Sequence, residues 1–324
     1  MDRRTLLTTL AAGATAAAAP WARAQGYPEQ LIRWIVPYPA GGGTDVIART
    51  LAEAMRQTLG QQIIIDNRPG ASTNIGADLV AKSKPDGYTI MSADNALLAF
   101  NEYLYSKLPF NPAKDFSYIG AIGKFPLALV VNPAFPAQDF KSFLAYVKAN
   151  PGKVNYASPG NGSPHHLAME LFKNHTGTFI THIPYRGAAP AMADVMGGQV
   201  PCMFLDLASG LSIMQSKKVR VLAIGSGARS KLLPDVPTLA EVGVPHTEVF
   251  AFQGILGPAG LSPAVVNRLN ADLNRAFGAP AVQKHFNDFG MEAMPGSPEQ
   301  FAALSRAESQ RWGPIIKAAN IKLD

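Results

Sequence analysis

The chain has 324 residues, 47% of them hydrophobic and 16% charged, which is long enough for one large or two middling domains and for a core without disulfides. Its one cysteine, Cys202, excludes an intrachain disulfide and every cysteine-cluster zinc or iron–sulfur centre. The formal charge of +6 contains no run of five or six like charges, so the concentrated basic patch of a nucleic-acid binder is missing and no such partner is expected.

Residues 1–24 read as an export leader. Arg3 and Arg4 give a charged start, an alanine-rich stretch runs to Ala19, and Ala22-Arg23-Ala24 supplies small residues at a cleavage position. The arginine pair followed by Thr5-Leu6-Leu7 is similar to a twin-arginine signal; a general secretory signal with a chance pair is the alternative. Either route predicts a periplasmic protein cleaved after Ala24. The leader carries three arginines and one aspartate, so its removal lowers the charge from +6 to +4. No later apolar run reaches the ~20 residues that a membrane span needs.

Beyond the leader, strands and helices alternate. Leu31 to Val36 is a short apolar run ending at Pro37, and the turn Ala40-Gly41-Gly42-Gly43 leads into Ile47, Leu51, Met55 and Leu59 at helical spacing, with Gly60 as a stop. Gln62 to Ile65 is a second strand; Asn67-Arg68-Pro69-Gly70 turns into a helix carrying Ile75, Leu79 and Val80; Tyr88 to Met91 is a third strand. This βαβαβ order predicts a mostly parallel sheet faced by helices.

A second set follows, with strands at 127–131, 154–156, 179–183, 202–205 and 219–224 and helices around 140–149, 164–174, 188–197 and 207–216. Phe250 to Leu256 is one more strand, and the tail from Ser262 reads as helical. The pattern predicts two domains, residues 25–124 plus 250–324 and residues 125–249, with chain crossings near 124–126 and 248–250.

Several ordered motifs carry a resemblance. Val36-Pro37-Tyr38-Pro39-Ala40-Gly41-Gly42-Gly43-Thr44-Asp45, Asp66-Asn67-Arg68-Pro69-Gly70-Ala71, Tyr156 to His166 and Pro184-Tyr185-Arg186-Gly187-Ala188-Ala189-Pro190 closely resemble the receptors of tripartite tricarboxylate transporters, the Bug or TctC-like family. The match continues to Gly257-Pro258-Ala259-Gly260 and covers essentially the whole mature chain. The resemblance implies an α/β protein of the type II periplasmic-binding-protein kind, with two α/β domains and a ligand cleft between them. It implies a small organic carboxylate as ligand and a two-component membrane permease, one large and one small subunit, as partner. No cofactor is expected, and a monomer is.

The residues agree with that implication on chemical grounds. A strand running through a glycine-rich turn into a helix leaves free N–H groups at the positive end of the helix dipole, an anion site that needs no arginine. Two such turns occur, at Ala40 to Asp45 and at Pro159 to His165, the second containing Gly160, Asn161, Gly162 and Ser163. Strand carboxyl ends are where parallel sheets bind ligands.

Single residues leave choices open. Thr44 and Asp45 either cap the first helix or touch ligand. Tyr38 either walls the cleft or packs on the sheet. Ser163 can donate its hydroxyl to an oxygen ligand. His165 and His166 diverge on a helix, which favours a cap or cleft contact, expected of His166, over a metal site. Tyr185-Arg186-Gly187 ends a strand, where Arg186 either neutralises an anion or forms a structural ion pair. Asp206 either accepts from a ligand amino group or caps the next helix. No enzyme signature occurs: G-x-S-x-G, G-x-x-x-x-G-K-[ST], G-x-G-x-x-G and H-E-x-x-H are all missing. Ser163 and His166 stand three apart, but spacing supplies neither a positioned base nor a third group. A non-enzymatic receptor is the expectation; one that presents its ligand to a signalling partner is the alternative, with a hydrolase last.

Overall fold

The computed structural model describes residues 26–324; the expected leader and its cleavage position lie outside the described residues. Strand β1 (Ile32–Val36) lies between β2 (Ile63–Asn67) and β3 (Thr89–Asp94), parallel to both. Helix α1 (Gly43–Leu59) links β1 to β2 and buries Ile47, Leu51, Met55 and Leu59, the stripe its spacing predicts. Gly60 ends it in left-handed backbone, φ 74°. Helix α2 (Asn74–Ala81) links β2 to β3. A π-helical turn at Ala96–Phe100 then runs into the short α3 (Asn101–Leu104).

Strand β4 (Phe116–Val131) is three times the length its apolar run foretells and belongs to both halves of the sheet. Up to the pair Pro126↔Phe250 it runs antiparallel to β9 (Phe250–Pro258), which also pairs antiparallel with β3. From the pair Leu127↔Asp206 onward it pairs antiparallel with β7 (Cys202–Asp206) on one side and β8 (Arg220–Ile224) on the other. The second half is completed by β5 (Asn155–Ser158), parallel to β7 and to β6 (Thr181–Pro184). Parallel pairing is therefore confined to the two three-stranded groups. The strands that pass between halves, β4 and β9, run antiparallel to each other: one carries the chain into the second half and the other brings it back.

Four helices serve the second half: α4 (Phe140–Ala149), α5 (Pro164–Thr176), α6 (Ala188–Met196) and α7 (Leu207–Gln215). The tail forms α8 (Pro263–Ala276), α9 (Pro280–Asp288) and α10 (Pro298–Ala318), interrupted by the two-residue β10 (Glu292–Ala293) on the edge of β4. One packing detail cuts across the expected division. Trp312 and Ile316 of α10, with Phe100 and Leu104, join the core built by Leu129, Phe143, Tyr156 and Phe172 of the second half. Phe301, on the first turn of the same helix, packs in the first half beside Phe252. The two lobes thus share apolar packing behind the connecting strands, and the strands' other side is left to a cleft.

Candidate functional site

A cavity of about 870 Å³ opens between the lobes, within the size range of small-molecule sites. Four helix N-termini line it: α1 through Gly42, Gly43 and Thr44, α5 through Ser163 and His165, α6 through Gly187, Ala188 and Ala189, and α7 through Asp206, Ala208 and Ser209. Two of these were legible in the sequence; the α6 and α7 ends complete the set. Gly42 and Gly187 stand at their N-cap positions without a side-chain cap. Of their own helices' amides, Ser163 and Asp206 accept from the third alone, those of His166 and Ser209. First-turn N–H groups of all four helices therefore lack a protein acceptor among the described residues. Their dipoles add, giving the cavity a positive field with few cationic side chains.

The two glycine turns are braced differently. In the first, Asp45 points back beneath its own turn, accepting from Gly41 N–H at 2.9 Å, Arg49 Nε at 2.9 Å and Asn67 Nδ2 at 2.9 Å. Burial works to raise this carboxyl, and the bonds from Arg49, Gly41 and Asn67 outweigh it, holding it below the usual carboxylate range. In the second, His166 Nδ1 accepts from Gly162 N–H at 3.0 Å, and its ring stacks on His182 with centroids 3.9 Å apart. His182 Nε2 lies 2.6 Å from Ser158 Oγ, which accepts from Gly160 N–H at 3.1 Å. Burial, with His182 and Lys173 nearby, pushes His166 down to about 3; burial again pushes His182 to about 4, against the pull of Glu170. A neutral Nδ1 is what Gly162 requires, since a protonated one cannot accept.

The expected residues divide accordingly. Tyr38, Gly41, Gly42, Thr44, Gly160, Asn161, Gly162, Ser163, Arg186, Gly187 and Asp206 all line the cavity. Ala40, Asp45, His166 and Tyr185 do not. Asp45 and His166 are the braces beneath the turns, and Tyr185 turns its hydroxyl to Asp194 at 2.6 Å. The α5 histidine at the cavity is His165, whose Nε2 donates to Asp206 at 2.8 Å. Neither Thr44 nor Asp45 caps α1; Thr44 Oγ1 instead accepts from Gln253 Nε2 at 2.8 Å. Asp206 caps α7, and its carboxyl, which burial would raise, is lowered by His165 and Ser209. Ser163 and the His166 ring form no dyad: the Ser163 hydroxyl donates to Gly160 O at 2.8 Å while the ring serves Gly162. Arg186 is exposed and has no carboxylate partner among the described residues.

Sequence reasoning missed Asp94, which accepts from the Tyr38 hydroxyl, and Gln253 in mid-strand. Asp94 ends a strand of the parallel group and had the same positional signal as Asp206; Gln253 had none. No trio of histidine, cysteine or acidic residues among those described is placed to hold a metal ion.

Residues 47–321 match the model of the tripartite tricarboxylate transporter family receptor. The chain belongs to that family. It is 37% identical to BugT of Bordetella pertussis over 311 residues, 96% of this chain and 95% of that one. Among solved structures it is similar to an R. palustris protein with adipate, at 32% identity and TM-score 0.83, covering 92% of this chain and 100% of that one. It is also similar to MatC from Rhodopseudomonas palustris with bound malate, at 30% identity and TM-score 0.80, covering 90% of this chain and 100% of that one. The receptor therefore has the fold of periplasmic solute-binding proteins with two α/β domains, and no helix among its described residues is long and apolar enough to cross a membrane.

Proposed function

We propose that this receptor captures a small organic carboxylate between its lobes in the periplasm and delivers it to a two-subunit membrane permease. The observation that carries the reading is the convergence of four uncapped or partly capped helix ends, from both lobes, on one cavity. Amides so placed solvate a carboxylate without bringing their own counter-ions. Ligands named for the adipate and malate relatives fit the same chemistry. In this reading Arg186 adds a mobile cation at the cavity, and the Tyr38–Asp94 pair and Gln253 orient what lies beside the amides.

The proposed domains are residues 25–124 plus 250–324 and residues 125–249, hinged where β4 changes partner and where β9 begins. A carboxylate touching both lobes favours the closed arrangement, because its contacts are better there. Thermal melting with a panel of carboxylates and their amides tests the ligand class. A bound carboxylate at a hundredfold excess over Kd stabilises by about 2.7 kcal/mol, and the amide does not; equal shifts from acid and amide would refute the carboxylate. Gly160 has φ 144° and leaves only 3.4 Å between an added Cβ and Tyr185 O. A folded Gly160→Leu should bind at least about tenfold more weakly, ~1.4 kcal/mol, and lose ligand-induced compaction in solution scattering. For export and maturation, N-terminal sequencing of the periplasmic fraction should begin at Gln25, and a cytoplasmic, uncleaved protein would refute export.

A further inference from the structure

One wall of the cleft, away from the helix ends, is mostly carbon, with Gln253 as its polar member. Phe125, Ala251, Phe289 and Met291 line it on the side of the connecting strands. Phe125 stands on β4 just before the strand changes partner and packs partly against the cores of both lobes. Phe289 and Met291 flank Gly290, whose φ of 59° takes the chain close to the second lobe: a Cβ there would come within 3.0 Å of Leu207 Cβ. Leu207 opens α7, next to Asp206 and Ala208 at the cavity. The apolar wall thus abuts a helix N-terminus, so a ligand with its carboxylate at that end lays its carbon body on the wall.

The side-chain charges set a limit on the ligand. Arg186 is the one lysine or arginine among the described lining residues, against Asp94 and Asp206. Burial raises the Asp94 carboxyl above the ordinary range, so the lining holds one cation, Arg186, against the ionised Asp206 and has no surplus of positive side chains. One carboxylate is matched by the free amides and dipoles. A second or third would be desolvated with no further cationic side chain to meet it, which is costly. Hydroxyl groups on the part of a ligand that lies against Phe125, Phe289 and Met291 would find no partner in those side chains.

Resting on the receptor reading above, we infer that the ligand is a monocarboxylate with an aromatic or branched carbon body, which Phe125, Phe289 and Met291 select. Such a ligand buries its ring or branches against two phenylalanines and a methionine, contacts that are favourable beyond the area covered.

Isothermal titration of the mature chain with benzoate, phenylacetate, malate and citrate tests this without any substitution. The expected result is at least one aromatic acid binding tenfold or more tightly than malate and citrate. Malate or citrate binding as tightly as the aromatic acids overturns the inference and leaves the receptor reading standing. No binding by any of the four, nor by the wider carboxylate panel, removes both. Phe289→Asn then locates the wall: affinity for the aromatic acid should fall about tenfold, with any malate affinity changing less than threefold. A folded variant that binds the aromatic acid as the native chain does would overturn the role given to this wall.

Discussion

The turns at Gly41 and Gly160 line the same cavity, yet they are held by opposite kinds of chemistry. The first rests on an ionised carboxylate, Asp45, engaged by Arg49, Asn67 and Gly41. The second rests on two stacked neutral imidazoles, His166 and His182, which engage Gly162 directly and Gly160 through Ser158. The first brace consumes one glycine amide, Gly41, and the second two, Gly160 and Gly162, that a ligand could otherwise have used. What the turn offers is therefore a geometry, with the donors supplied by the helix ends behind it. The difference teaches that an anion site can be built on a charged or an uncharged foundation, and that the two fail at different pH.

The largest expected effect follows from that. His166 and His182 have folded values near 3 and 4, below their ordinary 6.5. The unfolded chain then binds more protons across this window, so stability is full above about pH 6.5 and falls as the pH drops toward 4. The native chain should lose on the order of 3 kcal/mol more between pH 7 and pH 4 than His166→Gln, in which an amide oxygen can accept from Gly162 and position 166 no longer titrates. Denaturant titrations at the two pH values check this, and parallel pH profiles for both proteins would break the contrast.

Asp45→Ala comes next. It strands the Gly41 amide and the Asn67 side chain, at a cost of about 1–3 kcal/mol at pH 7. Because the folded carboxyl lies below the ordinary aspartate range, its contribution persists above that range and disappears only as the pH falls through it. The native and Asp45→Ala melting curves should therefore stay apart at pH 5, where the histidine brace is already failing. Curves that merge by pH 5 would contradict an ionised foundation.

Capping provides smaller tests. Ser163→Ala removes the acceptor for the His166 amide and should cost about 1 kcal/mol by chemical denaturation. Gly42 is an extended N-cap, φ −76°, with room for a side chain and no cap of its own. Gly42→Ser should stabilise the free protein by a few tenths of a kcal/mol while weakening carboxylate binding, since the new oxygen competes for the amides meant for ligand. Stabilisation with unchanged affinity would show that the α1 end does not meet the ligand.

Local signals made the parallel strand groups, most of the helices and both glycine turns legible. Ile47, Leu51, Met55 and Leu59 fall on one face of a helix at 3.6 residues per turn whatever surrounds them, and Ser163-Pro164 and Gly60 start and stop helices through their own backbone preferences. The segment from Phe116 to Pro126 was illegible because Gly120, Gly123 and Pro126 read as breaks. In the structure they are accommodated within β4: its register shifts between Tyr118 and Gly120 and between Ala121 and Gly123, and Gly123 lets Glu292 O approach where a Cβ would stand 2.6 Å away. Which of two adjacent histidines faces the cleft depends on the phase of α5 against β6 and β7, and neighbours in sequence point about 100° apart. Sequence thus determined where the helices begin and what their ends can bind, because capping and periodicity act over a few residues. Only the tertiary structure decided that four of those ends meet, that His166 supports while His165 lines, and that Phe125 and Phe289 share a wall, because each of these depends on chain segments far apart in sequence brought together by the connecting strands.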